Sequence, residues 1–313
     1  MESKRVFTEE ELAEIAIRPV DAAVRAVDRR NREELAEWVT KMYNAAVRSY
    51  NLRKNWDKGL TDKIYEKLGI EGIYEVMQKR TFTEAELERL LVTQPYIDAI
   101  YASYDAGDYD DAIQKIREMH NMGRAFHDKR IYWETILMSY VHEKLGPDEL
   151  MEAMRKVVGF YKPAALEPTR NGDFVARVKQ TAWGLHSHGE KLRIEEDDEK
   201  VSLWMEPCGS GQWLEEQGIY DNGMAKRIPA HEMTWGLDDF PVYCVHAPIQ
   251  EMIAIEELGY PDFVNCPCIE LKQDPNWKCA HQSCRFAVYK DPTQTPEEVY
   301  TRLGKVKPDF SKA

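Results

Sequence analysis

Cysteine is absent from the first 207 residues of this 313-residue chain, and all six cysteines lie between Cys208 and Cys284. The chain also lacks an apolar run of membrane-spanning length, and its N-terminus lacks the apolar core of a signal peptide. We therefore expect a cytoplasmic protein without a membrane partner. In the cytoplasm, reduced thiols bind metal more often than they form disulfides.

Positive charge is also in deficit, with 42 Lys and Arg against 55 Asp and Glu. This balance disfavours nucleic acid as a partner, because phosphates require a basic surface.

The first half of the chain contains a tandem duplication. Residues 7–12 recur as residues 82–87, and residues 65–69 recur as residues 142–146 at an offset of 77. In both copies a Thr precedes a Glu by three residues, which is the spacing of a helix capping box. Apolar residues at i, i+3 and i+4, with glycines at the ends of these segments, predict helices. We predict an all-helical domain over residues 1–162, with copies at about 7–81 and 82–158.

Histidine replaces tyrosine at three matched positions of the second copy. His120, His127 and His142 stand where the first copy has tyrosines. One interpretation is that these are polar-tipped aromatic residues at a helix interface. The other is that the second copy lines a pocket while the first copy is structural, and that His127 and Arg130 then bind or orient a substrate.

The second half of the chain changes to a mixed pattern. The prolines of residues 163–168 predict a linker into a second domain over residues 163–313. Alternating apolar residues predict a β-hairpin, further segments predict strands, and Pro248 is expected to open a helix that Gly259 closes; the strand segments are 192–194, 201–205, 241–246, 263–269 and 285–289. The predicted fold class is α+β, a duplicated all-helical N-terminal half packed on a C-terminal domain with a small antiparallel sheet.

A Pro-Cys-Gly-Ser-Gly turn follows the second hairpin strand. Its glycines let the backbone turn tightly and direct N–H groups into one concavity, which suits an anionic group or an oxyanion. Gly209, Ser210 and Gly211 are therefore candidate substrate-binding residues. Cys208 is either a nucleophile whose thiolate these dipoles favour, or a buried structural cysteine.

Two histidines just before the hairpin are candidates for acid–base chemistry. His186 and His188 share one side of the chain if that segment is extended. If the segment adjoins the turn, either could be a general base to the Cys208 thiol or to a metal-bound water. The alternative is that both lie on the surface. Glu206, which neighbours Cys208, is a second acid–base candidate.

Cysteine and histidine alternate on the predicted late strands. Cys244 and His246 would lie on one side of a strand, as would Cys266 and Cys268. With the later cysteines and His281, this grouping predicts a zinc site, or alternatively an iron site. The preferred ligands are four cysteines, with His246 as a replacement for any one of them: Cys244, Cys268, Cys279 and Cys284. The alternative is that several of them are buried apolar cysteines.

The segment from Cys244 to Tyr289 resembles two related groups of proteins. In the L-2-amino-thiazoline-4-carboxylate hydrolase-like proteins, a cysteine precedes a short helix, a second follows it, and a third enters a Cys-x-Phe strand, matched here by Cys244, Cys268 and Cys284. The 4-vinyl-reductase-type small-molecule-binding domain closes a similar strand with a cysteine pair, which Cys279 and Cys284 resemble. The resemblance implies a small-molecule pocket, with structural zinc beside it in some members.

Together these features predict a metal-dependent hydrolase that cleaves a C–N bond in a small cyclic amide- or amidine-like compound. A metal-bound water or the Cys208 thiolate would attack, the amides of residues 209–211 would bind the developing anion, and His188 or His246 would move the proton. The pocket would lie between the second helical copy and the sheet. The alternatives are a non-catalytic sensor or carrier with structural zinc, and a metal-dependent lyase or oxidoreductase. The expected partner is a small-molecule substrate, and a homo-oligomer is an open alternative.

Overall fold

The computed structural model describes residues 5–265 and 284–312 of the chain. Its first part consists of helices in two successive sets, one for each copy of the predicted repeat. The first set is α1 Glu9–Ala16, α2 Pro19–Asp28 and α3 Arg32–Met77; the second is α4 Glu84–Glu88, α5 Gln94–Asp105, α6 Tyr109–Leu145 and α7 Pro147–Gly159.

Equivalent residues begin and interrupt the helices of both copies. Thr8 and Thr83 each close a capping box at a helix start, as the sequence predicts. Gly69 kinks α3 at φ 66°, and Gly146, which is 77 residues later, separates α6 from α7 at φ 94°. These backbone conformations are open to glycine and strained for other residues. The long kinked helix of the first copy therefore corresponds to the α6–α7 pair of the second.

Two buried ion pairs join the copies in a reciprocal way. Arg53 of α3 donates to Glu134 of α6 at 2.6 Å, and Arg130 of α6 donates to Asp57 of α3. Both arginines and both acids are related by the same offset of 77 (130 − 53 and 134 − 57). Exchanging one copy for the other exchanges the two ion pairs, which is the pattern of an isologous contact. The copies therefore face each other around an approximate two-fold axis.

The segment between the halves is helical and tightly packed. It forms α8 Lys162–Ala165, α9 Glu167–Arg170 and α10 Phe174–His186, so the residues predicted as a linker, 163–168, lie in two short helices. Lys162 is buried and donates to both carboxylate oxygens of Asp262, at 2.7 and 2.8 Å. This pair holds α8 against the C-terminal half, and the two prolines fall at helix starts, where proline is tolerated.

The C-terminal half contains a four-stranded antiparallel sheet in the order β1-β2-β6-β5. Its elements are β1 Leu192–Glu196, β2 Lys200–Met205, α11 Gly211–Glu216, β3 Arg227–Ile228, β4 Phe240–Pro241, α12 His246–Leu258, β5 Val264–Asn265, β6 Cys284–Tyr289 and α13 Glu297–Thr301. Short 3₁₀ helices cover Glu232–Thr234, Val242–Val245, Pro292–Gln294 and Phe310–Lys312. The predicted hairpin and the α+β class are confirmed.

The strand predicted over residues 241–246 is wrong. Val242–Val245 is a 3₁₀ helix, and α12 starts directly at His246. β-branched and aromatic residues favour a strand when one of its faces is buried and the other is exposed. The apolar residues of this segment are all buried, namely Val242, Tyr243 and Val245, so it does not have that pattern. Cys244 and His246 consequently do not share a strand face. The end of α12 at Gly259, in the left-handed conformation, is as predicted.

One hydrophobic cluster extends through both halves of the chain. It contains Trp56 and Leu137 of the helical copies together with Tyr243 and Ile249 of the C-terminal half. The helical copies therefore pack directly on the segment that opens α12. No helix within residues 5–265 and 284–312 has the length and apolar character needed to cross a membrane.

Candidate functional site

A cavity of about 530 Å³ lies where the middle of α3, the end of α10 and the start of α12 meet. Its volume falls in the range of small-molecule pockets, and aromatic side chains form much of its wall: Trp56, Phe160, Tyr161, Trp183, Tyr243 and Phe263. Phe160 is 68% exposed, so the cavity opens to solvent beside it. Of the two helical copies, the first lines the cavity, through residues 44–56, and the prediction that the second copy lines it is wrong for the described residues.

Two histidines face the cavity with the same ring nitrogen engaged. His246 donates from Nδ1 to the carbonyl of Tyr243 at 2.7 Å, and His188 uses Nδ1 to contact the hydroxyl of Ser210. Within the described residues, no hydrogen bond engages Nε2 of either ring. Burial lowers the pKa of His246 to about 4 and that of His188 well below its ordinary value. Both imidazoles are therefore neutral near pH 7.

A chain of hydrogen bonds runs from His188 away from the cavity. The Ser210 hydroxyl lies between His188 Nδ1 and His127 Nε2, the latter at 3.2 Å. His127 Nδ1 lies 3.0 Å from Asp128 Oδ1, and Arg124 Nε donates to both oxygens of that carboxylate at 2.8 and 2.9 Å. The turn after β2, the loop after α10 and helix α6 thus meet at Ser210.

The cavity wall also presents Arg53 and Trp56, which the sequence analysis did not select as site residues. Arg53 donates to the Tyr243 hydroxyl at 3.3 Å. The Trp56 ring meets His246 edge-on at 5.5 Å. The Trp56 Nε1 is buried and makes no hydrogen bond to any described residue. The repeat marks both residues by their counterparts 77 residues later, but only the fold shows which copy faces a cavity.

A second polar cluster on the cavity wall surrounds the Lys162–Asp262 pair. Arg177 donates to the backbone carbonyls of Tyr289 at 3.0 Å and Asp262 at 2.9 Å, and burial lowers its pKa. Arg177 Nε and Thr169 Oγ1 are buried without a partner among the described residues. Lys162 pairs with the Asp262 carboxylate, whereas Arg177 bonds backbone carbonyls, so the described part of the cluster carries excess positive charge.

The Cys208 sulfur is directed away from the cavity. Cys208 is buried in the cluster between α10 and the sheet, where its thiol contacts Cys284. Hydrogen bonding by Cys284 and by the backbone amides of Ser210, Gly211 and Gln212 lowers the pKa of Cys208 to about 6 despite burial. The amides that were expected to bind a substrate anion, including that of Gly211, are thus directed at this sulfur. Residues 208–211 do not line the cavity.

The remaining predicted site residues lie apart from one another. Glu206 is exposed and pairs with Arg193 at 2.9 Å. Arg130 is buried against Asp57 and does not line the cavity. His186 bonds the carbonyl of Ile15 at 2.9 Å through Nε2.

The predicted metal ligands are only partly described. Cys268 and Cys279 lie outside the described residues. Cys244 packs against the large cluster that contains Tyr243, whereas Cys284 lies in the cluster of Cys208. Across residues 5–265 and 284–312, no three His, Cys, Asp or Glu side chains come together as a metal-ligand group.

Comparisons of this chain with protein-family models, with curated proteins and with solved structures found no match. The resemblance to the hydrolase-like and 4-vinyl-reductase-type groups therefore stays a prediction.

Proposed function

We propose that the chain is an enzyme that hydrolyses a C–N bond in a small, mostly apolar compound bound in the cavity. The observation that carries the proposal is His188, a neutral imidazole on the cavity wall whose Nδ1 is engaged by Ser210 and whose Nε2 is free of other described residues. A positioned imidazole that is neutral near pH 7 can accept a proton as a general base.

The chemistry assigns one role to each group on the wall. His188 Nε2 takes a proton from a water molecule while the water oxygen forms a bond to the carbon of an amide- or amidine-like group. The positive charge of Arg53, which lines the cavity, stabilises the anion that develops. When the C–N bond breaks, the proton on His188 passes to the leaving nitrogen. His246 presents a second Nε2 that can orient the water.

The cavity also favours a particular kind of compound. Its aromatic wall suits a flat apolar body of small-molecule size. Lys162 and Arg177 add positive charge to one part of the wall, where Lys162 pairs with the Asp262 carboxylate and Arg177 bonds backbone carbonyls. An anionic substituent would balance that charge, because buried cations are costly without a partner.

Zinc stays a prediction in this proposal. His188 and His246 present the ring nitrogen that metal-bound histidines commonly use, with the other nitrogen held by a hydrogen bond. Two imidazoles do not complete the four-donor set of a structural site. Elemental analysis of the purified protein tests the prediction, and one zinc per chain would support it.

The test of the proposed activity compares two histidine variants. Wild type is incubated with a panel of aromatic lactams, cyclic amidines and cyclic ureas, and ring-opened products are measured by mass spectrometry. His188→Gln should lower the rate by about 10²- to 10⁴-fold, the usual contribution of a general base. His142→Gln changes a histidine at the end of α6 that does not line the cavity, and it should leave the rate unchanged. An equal rate in wild type and His188→Gln would contradict the proposal.

A non-catalytic binding protein is the second candidate, and the aromatic side chains on the cavity wall favour it. The same panel of compounds distinguishes a binding protein from an enzyme. A carrier would bind members of the panel, detected by calorimetry, with equal affinity in wild type and His188→Gln and without products.

A further inference from the structure

We propose that Asp128, His127 and Ser210 are positioning residues that set the tautomer of His188 through one chain of hydrogen bonds. The chain would also carry a proton between the cavity and Asp128. The catalytic consequence rests on the proposed function, whereas the setting of the tautomer does not.

The direction of every hydrogen bond follows from Asp128. Its carboxylate can only accept, and Arg124 holds it with two hydrogen bonds. His127 must therefore donate from Nδ1, which leaves its Nε2 as an acceptor. The single hydroxyl proton of Ser210 then goes to His127 Nε2, so Ser210 must accept from His188 Nδ1. His188 is left with an unprotonated Nε2 on the cavity side.

The Ser210 hydroxyl has a partner in each role under this order. It donates its one proton to His127 Nε2 and accepts one hydrogen bond, from His188 Nδ1. His127 and Ser210 are each 2% exposed, so bulk water does not substitute for a missing member of the chain.

The same chain can move a proton with every transfer balanced. When His188 Nε2 gains a proton, its Nδ1 proton can pass to Ser210, whose own proton passes to His127 Nε2. The Nδ1 proton of His127 then passes to Asp128. His188, Ser210 and His127 thus each take one proton and give one, and the Asp128 carboxylate ends protonated. Burial raises the pKa of the Asp128 carboxyl, which favours its role as acceptor, and its side chain is 17% exposed.

Asp128, His127 and Ser210 have the composition of a nucleophilic triad, but their placement favours a relay. Ser210 does not line the cavity, and His188 stands between its hydroxyl and the cavity. A fluorophosphonate, which labels activated serines, should leave Ser210 unmodified. Labelling of Ser210 would overturn the assignment and make it the nucleophile.

The decisive experiment reads histidine tautomers in the full chain, labelled with ¹⁵N-histidine, by two-bond ¹H–¹⁵N correlation. Wild type should show His188 protonated at Nδ1. In Asp128→Asn, Arg124 should hold the amide oxygen, so the amide nitrogen donates to His127 Nδ1. That change reverses the donor and acceptor of each hydrogen bond along the chain, and His188 should switch to the form protonated at Nε2. Asp110→Asn, an exposed position on the same helix, should change nothing.

A second variant controls for an effect of Asp128→Asn on folding. Ser210→Ala removes the hydroxyl that joins His127 to His188, so adding Asp128→Asn to Ser210→Ala should no longer change the His188 tautomer. An unchanged His188 tautomer in folded Asp128→Asn would overturn the relay. Because no substrate is used, a relay without turnover would count against the proposed hydrolysis alone. Turnover with an unaltered tautomer would count against the relay alone.

Discussion

The two helical copies share a repeat, yet they serve the site differently. The first copy places Arg53 and Trp56 on the cavity wall. The second copy places His127 behind that wall, in the chain of hydrogen bonds that reaches His188. Both copies keep the arginine that crosses to the other copy, Arg53 and Arg130. The difference teaches that the reciprocal pairs maintain the frame, while the surroundings of each copy decide which residues meet a ligand.

Breaking the reciprocal pairs is the strongest test of this comparison. Arg53→Met and Arg130→Met should each lower the free energy of unfolding by about 3 to 5 kcal/mol, because each leaves a buried carboxylate without its partner. Urea denaturation followed by circular dichroism measures the loss. If the copies are equivalent as a frame, the two losses should agree closely.

Two further variants sharpen the result. Replacing both partners, as in Arg53→Met with Glu134→Met, should recover most of the stability, since no buried charge is left. Lys58→Met breaks the exposed pair with Asp62 on the same helix and should cost less than about 1 kcal/mol. Equal costs for Lys58→Met and Arg53→Met would show that the buried pairs do not maintain the frame.

The fold was predictable where its signals are local. Capping boxes at Thr8 and Thr83 and the glycines at 69 and 146 mark the helices of both copies. The site was only partly predictable, because its contacts join distant segments. His188 and the Ser210 turn were both selected, and they do meet.

The errors also have a physical cause. Arg53 reaches Tyr243 across 190 residues, and no periodicity shows that contact. The apolar segment around Tyr243 fits a strand in isolation, but packing against both copies makes it a 3₁₀ helix. Cys208 does precede the turn that contains Ser210, but its sulfur contacts Cys284 in the cluster between α10 and the sheet. Sequence spacing gives the position of a side chain and not its direction.

The two helix breaks provide the next comparison. Gly69 and Gly146 have positive φ with an extended ψ, of −159° and 173° respectively, a region that only glycine occupies readily. Gly69→Ala and Gly146→Ala should each cost about 1 to 3 kcal/mol of unfolding free energy, measured by urea denaturation.

Gly159 is the matched control for these substitutions. It ends α7 with open space where a methyl group would lie, and its φ is not positive. Gly159→Ala should therefore be neutral or slightly stabilising. If Gly146→Ala were equally harmless while Gly69→Ala was costly, the two breaks would not be equivalent.

The smallest expected effect separates Tyr50 from its counterpart, His127. Tyr50→Phe should change the unfolding free energy by less than about 0.5 kcal/mol, since its side chain is only half-buried. His127→Gln should cost about 1 kcal/mol near pH 7 by disturbing the hydrogen bonds to Ser210 and Asp128. Urea denaturation at several pH values measures both.

Acid should distinguish the same two positions more sharply. Burial lowers the pKa of His127 well below its ordinary value, so below about pH 6.5 the unfolded chain binds a proton that the folded chain does not. This contribution to stability is present above pH 6.5 and is lost as the pH falls toward the folded-state pKa. His127→Gln should therefore lose less stability than wild type between pH 7 and pH 5, whereas Tyr50→Phe should follow wild type. Parallel acid profiles for all three proteins would mean that the pKa of His127 is the same in the folded and unfolded chain, which would contradict a ring held neutral by burial.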